Sequence, residues 1–111
     1  MIKKVVIESP YSGDIETNVK YLLECIQHSC FTCKEAPFAS HALYTRSPEN
    51  GEHVVDTPGR RPHGIQCGFE WGNHADLVAI YMDLGLTTGM KHAIEFWLKE
   101  GKEIEYRRIR S

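Results

Sequence analysis

The run Leu77-Val78-Ala79-Ile80-Tyr81-Met82 carries no charge and no polar alternation. A strand with one wet face alternates, so an unbroken apolar run of this length needs cover on both faces, as a parallel sheet between helical layers provides. The run stops at Asp83 and Gly85, and "TTGMKHAIEFWLKEGK", Thr87 to Lys102, follows as an amphipathic helix closed by Gly101. Ile104-Glu105-Tyr106-Arg107 then alternates as a last, edge-like strand. The C-terminal third therefore reads as a strand, helix, strand unit.

The N-terminal part repeats the pattern. Val5-Val6-Ile7 is a short β-branched run bounded by Ser9-Pro10. Asp14 is placed to cap a helix in which Ile15, Val19, Leu22 and Ile26 recur at helical spacing through about Ser29. Ala36-Pro37-Phe38-Ala39 predicts a second short strand, with Pro37 keeping it from the middle of a ladder. A polar stretch from Thr45 to Arg61 follows, and a loop of that length in so small a domain is either functional, such as a lid, or disordered.

A helix is expected from about Arg61 to Asn73, with Pro62 in its first turn and Ile65, Phe69 and Trp71 contributing packing. Gly64, Gly68 and Gly72 lie four apart, which means either a groove for close approach or a bent helix. The order predicts one domain over residues 1–111, a compact Rossmann-like (flavodoxin-like) α/β fold. Its parallel sheet of about four or five strands is sandwiched by about three helices.

A formal charge of −2 removes the basic field on which nucleic-acid binding depends, leaving Arg107, Arg108 and Arg110 as a small anion patch or a solvated chain end. No apolar run approaches the ~18 residues of a membrane span, and Met1-Ile2-Lys3-Lys4 leads into a strand and not a signal peptide, so a cytoplasmic protein is expected. Four cysteines without a secretion signal suggest free thiols. Cys30-Phe31-Thr32-Cys33 has the spacing of a redox or half-zinc site, but its second pair is missing, and the other reading is a helix end with small buried residues. No metal and no cofactor is implied. A core this small favours self-association into a homo-oligomer.

Ligands of an open parallel sheet sit beyond the carboxyl ends of the strands. Three loops converge there: Ser9-Pro10-Tyr11-Ser12-Gly13-Asp14, Ser40-His41, and Asp83 to Gly89. The first offers hydroxyls, a glycine that lets backbone N–H groups approach an anion, and a helix N-terminus, which together make either a phosphate cradle or an ordinary turn. His41 either donates to a ligand or closes a turn, and Tyr11 either stacks on a base or covers the core edge.

The segments "VVIESPYSGDIETNV", "EAPFASHALYT", "GFEWGNHADLVAIYMDLG" and "TTGMKHAIEFWLKEGKEIEYR" resemble the nucleoside 2-deoxyribosyltransferase-like superfamily, including its small bacterial and phage members. The most specific parts are the SPYSGD loop and the helix that starts at Gly89-Met90 and ends in glycine. The resemblance implies a nucleotide or nucleoside-phosphate ligand, held by Ser9, Tyr11, Ser12, Gly13 and Asp14, with His41, Asp83, Gly89 and Met90 nearby. It also implies an N-glycosidic bond near the last helix and sites close to subunit boundaries.

Enzymes of that superfamily attack the anomeric carbon with a glutamate on the last helix, eight residues before its terminal glycine. Eight residues before Gly101 stands Ala93, which has no nucleophile. Glu95 lies about 200° from Ala93 around the helix, on the side of Lys91, His92 and Lys99, while Met90, Ala93, Ile94, Trp97 and Leu98 share the other. Glu95 and Asp83 remain the candidate catalytic acids. Glu95 is otherwise a solvated partner of Lys91 or Lys99, and Asp83 otherwise caps a turn or binds a sugar. Glu8 is a further candidate acid, although a residue so early in the turn reads as structural.

Three functions follow. One is a nucleotide-binding protein that holds its ligand without cleavage, for instance a phage sponge for a cyclic-nucleotide or ADP-ribose-type immune signal, acting in the host cytoplasm. The second is an N-glycosidase or 2-deoxyribosyltransferase with a displaced acid. The third is an interaction module in which the cradle is only a turn.

Overall fold

The computed structural model of the chain describes residues 1–45, 49–51 and 60–110. Four strands, β1 (Lys4–Glu8), β2 (Ala36–Phe38), β3 (Leu77–Tyr81) and β4 (Ile104–Arg107), form one sheet in the order β2-β1-β3-β4. Every neighbouring pair is parallel. The helices are α1 (Ile15–Gln27), α2 (Ser40–Leu43), α3 (Arg60–Gly72) and α4 (Thr88–Lys99). The expected Rossmann-like α/β architecture is therefore present, with one addition. The single turn α2 is too short to produce an apolar period and could not be read from the sequence. The loop expected over 45–61, and with it the lid, falls largely outside the described residues.

All five residues of β3 are buried, as a strand covered on both faces requires. Alternation along β1 divides the core. Val5 and Ile7 pack with Leu77, Ala79 and Tyr81 against Tyr21, Leu22 and Cys25 of α1. On the opposite face, Val6 joins Val78, Ile80, Met90, Ala93, Ile94 and Trp97. β2 and β4 are the edges, which is where Pro37 and the alternating Ile104–Arg107 segment can be accommodated.

The Asp14 side chain caps α1, accepting from Thr17 N at 3.2 Å and from Thr17 Oγ1 at 2.8 Å. Past Gln27 the chain widens into a π-helical turn, His28–Thr32, so Cys30 and Cys33 sit at a helix end. All four cysteines are free thiols. Gly101, at φ 74°, ends α4 in the left-handed conformation.

The glycine ladder of α3 is a close-packing face. A Cβ at Gly72 would lie 2.9 Å from Val6 Cγ2 and 2.9 Å from Trp97 Cζ2, and one at Gly68 would lie 2.8 Å from Ser40 Cβ. Three packing expectations are corrected: Trp71 and Leu98 are 65% and 60% exposed, since each sits on the outer side of its helix, and Ile65 is 43% exposed. Phe69 does pack inward, stacked on Phe96 with ring centroids 3.9 Å apart.

Candidate functional site

From β1 the chain runs through α1 to β2 on one side, then returns through α3 to β3 on the other side of β1. The connections leaving β1 and β3 therefore diverge, and a crevice opens beyond their carboxyl ends. A cavity of about 250 Å³ occupies it on the α3/α4 side.

β1 supplies the deepest wall. Glu8 is in phase with Val6, so its side chain enters the α3/α4 layer, where it is 8% exposed. Trp97 Nε1 donates to Glu8 Oε2 at 2.9 Å. Burial pushes the Glu8 carboxyl from its ordinary 4.5 up to about 7, opposed only by that indole hydrogen bond. Ser9 is 1% exposed, and its hydroxyl has no hydrogen-bond partner among the described residues. A buried polar atom left open on a cavity wall is where a ligand atom or a water is expected.

The loop after β1 is fixed from the far side. Asn18 Nδ2 donates to the carbonyls of Tyr11 and Ser12, each at 3.0 Å. Tyr11 is buried with its ring 5.0 Å from that of His41, and the Arg61 guanidinium lies 5.8 Å from the Tyr11 ring centroid. Burial, then the Arg61 charge, depresses the His41 pKa to about 4, so the imidazole is neutral at pH 7. Across the cavity, Thr87, Gly89 and Met90 bring in the start of α4, where Thr87 Oγ1 accepts from Met90 N at 3.2 Å. His92, Ala93 and Trp97 continue that wall.

Of the residues expected at a site, Ser9, Tyr11, Ser12, His41, Gly89 and Met90 line this one cavity. Gly13, Asp14 and Asp83 are not on its lining. Asp14 is engaged as the α1 cap. Asp83 serves the α1 face: its carboxylate accepts from Tyr21 Oη at 2.6 Å, Ile109 N at 3.0 Å and Arg110 N at 2.7 Å. These bonds outweigh partial desolvation and hold its carboxyl down at about 2. Glu95 is exposed and outside the cavity, whereas Ala93 faces into it, as the helical phase predicted.

Sequence reasoning missed Arg61, Thr87, His92 and Trp97, and favoured a structural role for Glu8. For Glu8 the signal existed, because a carboxylate two residues after a core valine must share its face. For Arg61, in the first turn of α3, no local pattern pointed to the site.

The arrangement offers a buried acid, an open hydroxyl, a neutral imidazole, one arginine and a helix start around a partly apolar chamber. Such a chamber can hold a small polar ligand through few, placed contacts. Among the described residues no cluster of three His, Cys, Asp or Glu suited to a metal occurs, and no helix is long and apolar enough to cross a membrane. Over residues 3–107 the sequence matches the family described as a domain of unknown function, DUF7768. The chain belongs to the DUF7768 family. The DUF7768 match contains every cavity residue named above, so the site is built within the family domain itself. None of the curated proteins matches the chain.

Proposed function

We propose that the cavity binds a nucleotide or nucleoside phosphate and holds it without cleaving the glycosidic bond. The observation that carries this reading is Ala93. It faces the cavity at the place where the deoxyribosyltransferase-like resemblance puts a nucleophilic glutamate, and it brings only a methyl group. Groups suited to phosphate and sugar remain around it: the Ser9 and Ser12 hydroxyls, Arg61 and the first turn of α4. The volume of about 250 Å³ is just below the ~300–1,000 Å³ of drug-sized ligand pockets, which favours a mononucleotide over a larger ligand. A protein of this kind works as a sponge in the cytoplasm, soaking up a nucleotide signal, and its exposed Leu98 and Trp71 are available for homo-oligomer contacts.

Glu8 favours a second reading. A cavity carboxyl pushed up to about 7 is suited to general acid and base work, as a nucleoside N-glycosidase needs. The two readings separate in one experiment. Purified protein is incubated with nucleoside monophosphates, cyclic nucleotides and ADP-ribose, then denatured, and the small molecules are identified by mass spectrometry beside a thermal-shift measurement. A stabilising nucleotide recovered intact supports holding; free base establishes cleavage; no stabilisation by any of them removes the nucleotide reading. Ser12→Asp should abolish binding by like-charge repulsion while preserving the fold.

A further inference from the structure

We propose that Glu8 binds the ligand as a neutral acid, its O–H and the neighbouring Ser9 O–H forming a two-donor wall that reads acceptor atoms, so that an anionic ligand enters together with a proton. This rests on the nucleotide reading above and specifies how that site recognises its ligand.

The geometry carries the argument. An ionised carboxylate is satisfied by two or three donors, and among the described residues Glu8 has one, the Trp97 indole on Oε2. The apolar side chains that share the cavity wall with it include Val6, Phe69 and Ala93, none of which can donate to a second carboxylate oxygen. With Oε2 held as an acceptor, Oε1 carries the proton and is the oxygen available to a ligand. Ser9, next in the chain, lines the same cavity, and its Oγ is buried and without a partner among the described residues. A phosphorylated ligand sharing about 250 Å³ with an ionised glutamate would meet like-charge repulsion in a poorly screened space. Protonation removes the repulsion and turns the carboxyl into a donor.

Among the described residues, the other titratable or charged side chains on the wall are Tyr11 after β1, His41 on α2, Arg61 on α3 and His92 on α4. β2 contributes none. His41 is already neutral near pH 7 and takes no part. The ligand phosphate can also exchange a proton, so the Glu8 contribution is read as a difference between two proteins.

The test is isothermal titration calorimetry of the four ribonucleoside 5′-monophosphates, from pH 6 to pH 8, in buffers of different ionisation enthalpy. For the tightest binder, wild-type affinity should fall about tenfold over that range, with an uptake approaching one proton per ligand at pH 8 beyond that of Glu8→Gln. Glu8→Gln, which keeps a neutral donor and an acceptor for Trp97, should bind more tightly than wild type at pH 8. Equal proton counts and parallel pH profiles in the two proteins overturn the proposal and leave the nucleotide reading standing. Loss of binding in folded Glu8→Gln also overturns it, because the ionised carboxylate would then be required. Binding of no monophosphate at any pH overturns the nucleotide reading and this inference with it. Should Glu8→Gln not fold, proton uptake by His92→Gln at pH 8 decides, and its absence is fatal.

Discussion

Replacing Glu8 by glutamine should stabilise the folded protein at neutral and alkaline pH, and by an amount that depends on pH in a defined way. The Glu8 carboxyl is raised from 4.5 to about 7 by burial. Below pH 4.5 it is protonated in both folded and unfolded chains, and the substitution changes little. Between 4.5 and 7 the unfolded chain releases its proton while the folded one retains it, so wild-type stability falls as pH rises. Above 7 both are ionised and the loss is complete, at about 3 kcal/mol for a displacement of this size. Glutamine has no proton to lose, and its amide oxygen can still accept from Trp97 Nε1. Urea unfolding of both proteins at pH 5, 6, 7 and 8.5 should show a separation of about 1 kcal/mol or less at pH 5 that grows to about 3 kcal/mol at pH 8.5. In a domain of this size that is a difference on the order of 10 °C in Tm. A separation that is constant with pH would refute the reasoning, because it would mean that the carboxyl titrates normally in the fold.

Four further substitutions have defined outcomes. Trp97→Phe leaves the Glu8 carboxylate without its one protein donor among the described residues, and should cost about 1–3 kcal/mol at pH 8 and less at pH 5, measured by urea unfolding. Gly72→Ala drives a methyl against Val6 and Trp97 and should destabilise by about 1–3 kcal/mol. Gly64→Ala meets, among the described residues, only Tyr44 Cβ at 3.4 Å and should be neutral or slightly stabilising in the same urea unfolding. Asp83→Ala releases Tyr21, Ile109 and Arg110 and should destabilise by about 1–3 kcal/mol without changing nucleotide affinity. Since the Asp83 carboxyl is held at about 2, below its ordinary 3.8, the wild-type advantage is full above pH 3.8 and shrinks as pH falls toward 2. Circular dichroism at pH 2 to 5 would show it.

Local pattern determined a large part of this protein. The unbroken run at Leu77–Tyr81 required a covered parallel strand, Pro37 an edge, Asp14 a cap and Gly101 a stop, because each depends on a residue's own backbone or on neighbours a few positions away. The same logic placed Ala93 on the inward face of α4 and Glu95 outside. Which polar residues meet was decided by tertiary structure. Trp97 reaches Glu8 across 89 positions of sequence, and Asp83 is drawn to Tyr21, Ile109 and Arg110 on the α1 face, away from the cavity it was expected to serve. Arg61 and His41 come together around Tyr11 for the same reason. Spacing along the chain fixes which face a side chain takes; the partner it meets there, and whether its charge survives burial, is fixed only when the sheet closes against its helices.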